Sequence, residues 1–519
     1  MEKQRIYPIG EFVFEEIRNR DYVYVDKTAA IYQLVSTNKY YFLSRPRRFG
    51  KSLLISTLDA YFSGKKDLFR GLAIDKMEKD WVKYPILHLD LSSNRYPDVT
   101  TLEKALDAKL ERFEKKYELR NNHYTLSDRL VNIIHRAVEV EGQKVVILID
   151  EYDAPLLDVM GNRAKLEGLR NTMRSFFSPL KTEESFLRFV LLTGITKFSQ
   201  MSIFSELNHL DNISMSDRYS AICGITENEL LTQFGTDIHE LAQANAESDE
   251  EAFAHLKAYY DGYHFSANSE DIFNPFSLLN CFNTNTYDTF WFSTGTPHFL
   301  LDILHKTGTE LPELSAIHAR KSSFDRPTED ERDMTALLYQ SGYLTIKEFN
   351  PIAQTYTLGF PNEEVRTGFA DSLANYNTPS YLTEQDNMIT IVRMALSKGN
   401  IDECIQALYT FFAGYPYDIN NNNEKHYQGI LYTIFTLIGA RPITEKVIAN
   451  GRIDMVLELP EYVYIFELKV NHSAEIAIDQ IKTKGYAEPY VFSDRIVHLV
   501  GINFDSKTRN IDDWKSERM

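Results

Sequence analysis

Gly50-Lys51-Ser52 closes a polar turn that follows a short aromatic and aliphatic run, Tyr40 to Leu43, and precedes an apolar pattern at helical spacing, Leu53 to Phe62. Strand, turn and helix in that order can cradle a phosphate, because N–H groups at the helix start and the helix dipole both favour an anion. Gly50 lets the backbone approach the ligand, Lys51 reaches the β- and γ-phosphates, and the Ser52 hydroxyl ligates Mg²⁺. The run Arg48-Phe49-Gly50-Lys51-Ser52-Leu53 is therefore the expected nucleotide-binding segment, with ATP and Mg²⁺ as its ligands. The full pattern, GxxxxGK[ST], begins with glycine; here Arg45 stands at that position.

About a hundred residues later, Lys144 to Ile149 is a continuous apolar run that ends in Asp150-Glu151. Such a run reads as a strand buried on both faces of a parallel sheet. Its acidic pair then lies at the carboxyl end, where open α/β sheets bind ligands. Asp150 is expected to hold Mg²⁺ through water, and Glu151 to orient or deprotonate the attacking water. A further buried strand, Phe186 to Leu192, ends in Thr193-Gly194. Thr193 is the candidate for sensing the γ-phosphate, with Thr196 and Lys197 as neighbours able to do so instead; a threonine that caps a strand would look the same.

A second constellation lies near the C-terminus. Gly451 to Glu458 and Tyr462 to Val470 read as two strands of a hairpin, which brings Asp454 beside Glu467. Glu467 and Lys469 are two apart and share a face of the strand. Two carboxylates suit Mg²⁺, and an adjacent lysine can position a hydroxide and stabilise charge on a phosphate, which is the chemistry of metal-assisted phosphodiester hydrolysis. Glu424, opening a helical segment upstream, is a further candidate metal ligand, and Gln480 on a helix downstream is a candidate catalytic residue. Glu-x-Lys on a solvated strand is common; Asp454, one hairpin strand earlier, is what makes this pair distinctive.

The elements that carry these residues alternate strand and helix, giving an α/β parallel sheet for the N-terminal part. Residues from about 225 to 350 read as mostly helical. Asp333 to Tyr339, followed by strands at 341–346 and 355–360, has a winged-helix pattern whose wing is not basic, which favours a structural role. The expected division is 1–225, 226–370, a linker at 371–385 rich in Asn, Thr, Pro and Ser, and 386–519. Asn420 to Asn423 reads as a loop.

The chain has 519 residues and a formal charge of −18, which argues against a uniformly basic nucleic-acid binder but leaves room for a local basic groove. Its three cysteines, Cys223, Cys281 and Cys404, form no metal spacing and suggest a reducing compartment. Met1 to Arg5 leads into no long apolar segment, and Ile430 to Ala440 is too short to span a bilayer. A cytoplasmic protein without membrane attachment is the expectation.

The blocks YVYVDKT at 22–28, RPRRFGKSLL at 45–54, VVILIDEYDAPL at 145–156, LLTGITKFS at 191–199, YDGYHF at 260–265 and NPFSLLN at 274–280 resemble bacterial AAA-ATPase-like proteins whose C-terminal part is a PD-(D/E)XK nuclease-superfamily domain. The blocks GRIDMVLE, FELKV and QIKTKGYA extend the resemblance to the C-terminus. It implies a P-loop NTPase sheet joined to a restriction-endonuclease-like α/β domain, with Lys51, Ser52, Asp150 and Glu151 in the nucleotide site. Asp454, Glu467 and Lys469 take the nuclease roles, although Ile453 stands where the superfamily motif has proline. The readings that follow are an ATP-hydrolysing Mg²⁺-dependent nuclease, most simply of DNA, or a nucleotide-driven switch whose nuclease fold does not cut. Arg45, Arg47 and Arg48 are expected to contact phosphate or to serve a neighbouring subunit of a homo-oligomer.

Overall fold

Val145 to Asp150 is buried at every position, and its alternate side chains enter two different cores: Val145, Ile147 and Ile149 on one side, Val146 and Leu148 on the other. That double burial is why the run is apolar without alternation. In the computed structural model, which describes residues 5–120, 124–197, 210–292, 301, 304, 309–326, 334–377, 382–414 and 423–519, this strand is β3 of a five-stranded sheet. The other members are β1 (Tyr40–Ser44), β2 (Ile86–Asp90), β4 (Leu187–Gly194) and β5 (Asp211–Asn212). Their order is β2-β3-β4-β1-β5, all parallel. Registers Leu43 with Thr193, Ile149 with Leu192 and Asp90 with Asp150 align the carboxyl ends of four strands along one rim.

One face is covered by the helices Val99–Lys116, Leu126–Glu141 and Arg163–Phe177, through residues such as Leu106, Ile133 and Leu169. The other is covered by the helix Lys51–Phe62 through Leu54, Ile55, Leu58 and Phe62. Tyr22 to Lys27 joins no described sheet; Val23 and Val25 pack on the helical core of residues 225–290. A short antiparallel pair, β6 (Ile225–Thr226) and β7 (Ile272–Phe273), opens that region, and Thr226 makes the capping box its sequence announces.

The helix Met334–Ser341 is followed by the antiparallel pair β9 (Thr345–Asn350) and β10 (Thr355–Gly359), with β8 (Ile317–Ala319) added beside β10. This is the winged pattern, but its first strand starts later than the sequence suggested, because Gly342 turns the chain at φ +90°. Asp333 lies outside the described residues.

The chain divides into two compact units, Met1–Trp291 with Ile317–Glu363, and Phe292–Ala316 with Glu364–Met519. The winged element thus belongs to the first unit rather than to a separate middle domain. The expected linker is helical where described: helices Glu363–Asn377 and Leu382–Ser397 run into it from both sides, while 378–381 lies outside the described residues, as does 420–422 of the asparagine run.

The second unit holds a mixed sheet in the order β11 (Ile443–Ile448), β12 (Gly451–Glu458), β13 (Tyr462–Val470), β14 (Ile496–Asp505) and β15 (Asn510–Arg518). β13 and β14 are parallel, so a crossover must join them, and the helix Ala474–Thr483 provides it. The remaining neighbours are antiparallel. Ile453, Ile465, Ile478 and Ile481 pack sheet and helix together.

Candidate functional site

In the first unit β1 delivers the chain to a tight loop, and the helix Lys51–Phe62 leaves it. Two residues turn the loop through left-handed backbone, Arg48 at φ +62° and Gly50 at φ +92°. Lys51 is buried, and its Nζ donates to the carbonyl oxygens of Arg45 (3.0 Å) and Pro46 (2.9 Å). Among the described residues it meets no carboxylate within ion-pair distance, although its charge is felt by Glu151 and Asp153. Ser52 sits half-buried in the first turn of the helix. A phosphate fits this donor set: a helix start, an ammonium without a counter-ion and a hydroxyl for its cation.

The flanking residues of the segment serve otherwise than their position suggests. Phe49 is fully buried, edge-on to Tyr263 and Phe265, and anchors the loop to the core. Arg45 is buried as well. Its guanidinium donates to the carbonyls of Ser44, Ser214, Tyr219 and Ser220 and lies over the Phe265 ring. Burial pulls it down to about 10. Arg45 is therefore a structural clamp and offers nothing to a phosphate or a neighbouring subunit. Arg47 and Arg48 are exposed, with Arg48 stacked on Phe276. Leu53 lines a small apolar recess of about 90 Å³ beside Gly50, with Val23, Val25, Ile225 and Leu279. The recess is assembled from segments two hundred residues apart, which is why the local pattern around the loop did not reveal it.

Asp150 and Glu151 end β3, and β4 lies between them and the phosphate loop. Asp150 accepts the hydroxyl proton of Thr193 (2.5 Å) and the N–H of Glu151 (3.1 Å). Thr193 is fully buried and turned to Asp150, so it fixes the carboxylate's orientation. Glu151 adopts φ +49°, a strained conformation for a non-glycine residue. Burial raises its pKa, the Lys51 charge opposes that rise, and Asp150 and Asp153 add to it. Of the alternatives to Thr193, Thr196 is held by Asp153 and Lys197 forms a buried ion pair with Asp325.

Asp153 carries a role the sequence reading passed over. Fully buried, its carboxylate accepts from the N–H groups of Ile195 and Thr196 and from the Thr196 hydroxyl. Tyr152 adds a hydrogen bond from its hydroxyl to the Thr196 carbonyl. The winged element meets the same rim: Gln340 accepts the Lys197 N–H at 2.6 Å, and Gly342 packs directly on Pro46.

In the second unit, Asp454 and Glu467 lie across the mouth of the β12–β13 hairpin, one step beyond the paired residues Met455 and Phe466. Asp454 accepts the Leu468 N–H at 2.8 Å, and burial pushes it up to about 6. Glu467 is 1% exposed and takes a hydrogen bond from Lys469 Nζ at 2.8 Å on one oxygen; the other oxygen has no partner among the described residues. Burial, then repulsion from Asp454, lifts it to about 7. Burial pulls Lys469 down, but its bond to Glu467 and the surrounding carboxylates raise it overall.

Glu424, at the start of the helix Glu424–Leu437, is near enough to raise both carboxylates. Even so, no three His, Cys, Asp or Glu side chains converge at ligand spacing among the described residues. Gln480 is turned to the Tyr486 hydroxyl (3.4 Å). Gln428, which sequence reasoning missed, donates to the Asp454 carbonyl at 2.6 Å. Its signal was available, since it lies one helical turn after Glu424 on the same face. Two carboxylates crowded in a buried mouth, one oxygen unpartnered, fit a divalent cation.

Residues 8–204 match a family of predicted AAA-ATPases, and residues 422–514 match the PD-(D/E)XK nuclease superfamily. An uncharacterised protein from the vnfD 5′ region of Azotobacter chroococcum mcd 1 is 34% identical over 516 residues, covering 97% of each chain. A solved structure, the ORC2 protein of Aeropyrum pernix in ADPNP–ADP complexes, aligns with 67% of this chain and 93% of its own at 13% identity, with a TM-score of 0.18, too low to define a shared fold. The chain belongs to the family of AAA-ATPase-like proteins that carry a C-terminal PD-(D/E)XK nuclease-superfamily domain. No described helix is long and apolar enough to cross a membrane.

Proposed function

We propose that the first unit binds and hydrolyses Mg·ATP and that the second is a Mg²⁺-dependent nuclease acting on DNA. One observation carries the reading: each centre holds charge that the described protein does not balance. Lys51 is a buried cation that no carboxylate meets at ion-pair distance among the described residues, and Glu467 is a buried carboxylate with a bare oxygen beside a second carboxylate.

In the first centre, Lys51 and the helix start take the β- and γ-phosphates, Ser52 and Asp150 hold the cation, and the apolar recess beside Gly50 receives the base. Glu151, its pKa raised by burial, accepts a proton from the attacking water. Thr193 keeps Asp150 aimed. In the second centre, Asp454 and Glu467 hold the cation, whose chemistry is to neutralise the phosphodiester and to make a water nucleophilic. Lys469, anchored on Glu467, places positive charge beside the reacting phosphate. The three cysteines are all buried, in keeping with a reducing, cytoplasmic setting. The exposed Arg47 and Arg48 are available to a neighbouring copy in a homo-oligomer.

The test is ATP hydrolysis and cleavage of single- and double-stranded DNA with Mg²⁺, for the wild type, Lys51→Ala and Lys469→Ala. The reading expects hydrolysis lost in Lys51→Ala and cleavage lost in Lys469→Ala. ATP turnover without cleavage by any form would remove the nuclease half and leave a nucleotide-driven switch.

A further inference from the structure

β2 is the free edge of the N-terminal sheet, and an open trough of about 840 Å³ lies beside it. Four cations line it: Arg95 from the turn after β2, and Lys104, Lys109 and Arg112 from the helix Val99–Lys116. On that helix the lining positions recur three and four apart, so they form one stripe. Three of the helix's four acids are engaged elsewhere, and the fourth, Glu103, is not part of the lining. Asp107 and Glu114 pair with Arg129, and Glu111 pairs with Lys115. None of the four lining cations makes an ion pair among the described residues; Lys109 has only a 3.4 Å contact with Ser93. Asp90 is the carboxylate in the lining and its charge acts on Lys109, which leaves the lining cations in excess.

A chain of net charge −18 thus gathers unbalanced positive charge around one trough. From Lys104 to Arg112 the helix rises about 12 Å, enough to meet successive phosphates of one strand. Phe113 and His88 add planar side chains to the same lining, surfaces on which bases stack. An acidic peptide would find the charges but would have no use for those rings.

We infer that this trough binds single-stranded nucleic acid through its phosphate backbone, without regard to sequence. The inference rests on the proposed function only in taking nucleic acid as a ligand of this chain; binding is read without cleavage. The experiment measures fluorescence anisotropy of a labelled oligothymidylate with full-length Lys469→Ala protein in EDTA, over a range of salt. Adding Lys104→Glu and Arg112→Glu is expected to weaken binding about tenfold or more and to flatten the salt dependence by roughly 1.4 in log–log slope, at about 0.7 for each cation removed. An unchanged thermal midpoint and ATP turnover would show that the fold is intact. Binding equal to that of the parent, or displacement of the oligonucleotide by poly-glutamate as effectively per charge as by unlabelled oligothymidylate, would overturn the inference. Wild-type protein that cuts nothing while the trough variant loses binding would remove the nuclease reading and keep the trough. Cleavage together with binding indifferent to the trough would do the reverse.

Discussion

The carboxylate of Asp153 holds Thr196 by two hydrogen bonds, 2.6 Å from its N–H and 2.7 Å from its hydroxyl, across the ends of β3 and β4. These strands carry, at the same rim, the acidic pair Asp150-Glu151 and the buried Thr193. The same strand ends are also joined by the bond from Thr193 to Asp150, by the Tyr152 N–H to the Thr193 carbonyl and by the Tyr152 hydroxyl to the Thr196 carbonyl. A buried carboxylate with three donors thus sets the geometry of another carboxylate three residues earlier.

Replacing Asp153 with alanine strands those buried donors and is expected to cost about 2–4 kcal/mol. Urea unfolding measures the loss. Asp153→Asn keeps an acceptor and is expected to lose less. ATP turnover should fall in both, further in the alanine variant.

Gly194 has no room for a side chain: a Cβ there would lie 2.6 Å from Asp153 Oδ1 and 2.7 Å from the Tyr152 ring. Gly194→Ala must push the clamp aside, at a cost of about 1–3 kcal/mol. The expected result is a lowered thermal midpoint with ATP turnover reduced more than the melt alone accounts for, because Asp153 and Thr196 separate. Turnover at the wild-type level would show that the clamp does not govern the acidic pair.

The legible parts of this chain were those whose signal is local. Val145 to Ile149 announced a doubly covered strand because every residue is apolar, and Gly50-Lys51-Ser52 announced its loop because strand, turn and helix are contiguous. Asp454 and Glu467 could be paired because one hairpin joins them. Arg45 was misread because its partners, the carbonyls of Ser214, Tyr219 and Ser220, lie about 170 residues away. Asp153 was missed because an aspartate after an acidic pair looks solvated until β4 is laid beside it. The helices Glu363–Asn377 and Leu382–Ser397 went unread because Asn, Thr, Pro and Ser around 377–380 outweighed the helical residues on either side. The boundary between units, which crosses the chain three times, at 291/292, 316/317 and 363/364, leaves no mark in composition.

Gly342 turns the chain at φ +90° where the winged element meets the phosphate loop, and an added Cβ would lie 2.6 Å from the Pro46 side chain. Gly342→Ala combines an unfavourable backbone with a clash against the loop's own proline, for about 2–4 kcal/mol. Since the Pro46 carbonyl is one of the two acceptors for Lys51, weaker ATP binding should accompany the loss of stability. Titration with a fluorescent ATP analogue checks the first and a thermal melt the second.

Glu467 should act against the stability of the metal-free protein as pH rises. Its pKa stands at about 7 in the folded chain against an ordinary value of 4.5, and that of Asp454 at about 6 against 3.8. Both carboxyls therefore bind protons more tightly in the folded than in the unfolded state. Their favourable contribution is complete below the unfolded values and is lost as pH climbs through the folded ones. Glu467→Gln removes one of the two charges and offers an amide to the neighbouring carboxylate. In EDTA its stability relative to wild type should be close to zero near about pH 4 and should grow to about 1–3 kcal/mol by about pH 8. Saturating Mg²⁺ should shrink or reverse the difference, because the wild type alone keeps both ligands. The same variant is expected to lose cleavage entirely. Melts across that pH range, with and without Mg²⁺, measure the difference; a gap that ignores both pH and the cation would mean that the two carboxylates do not share a site.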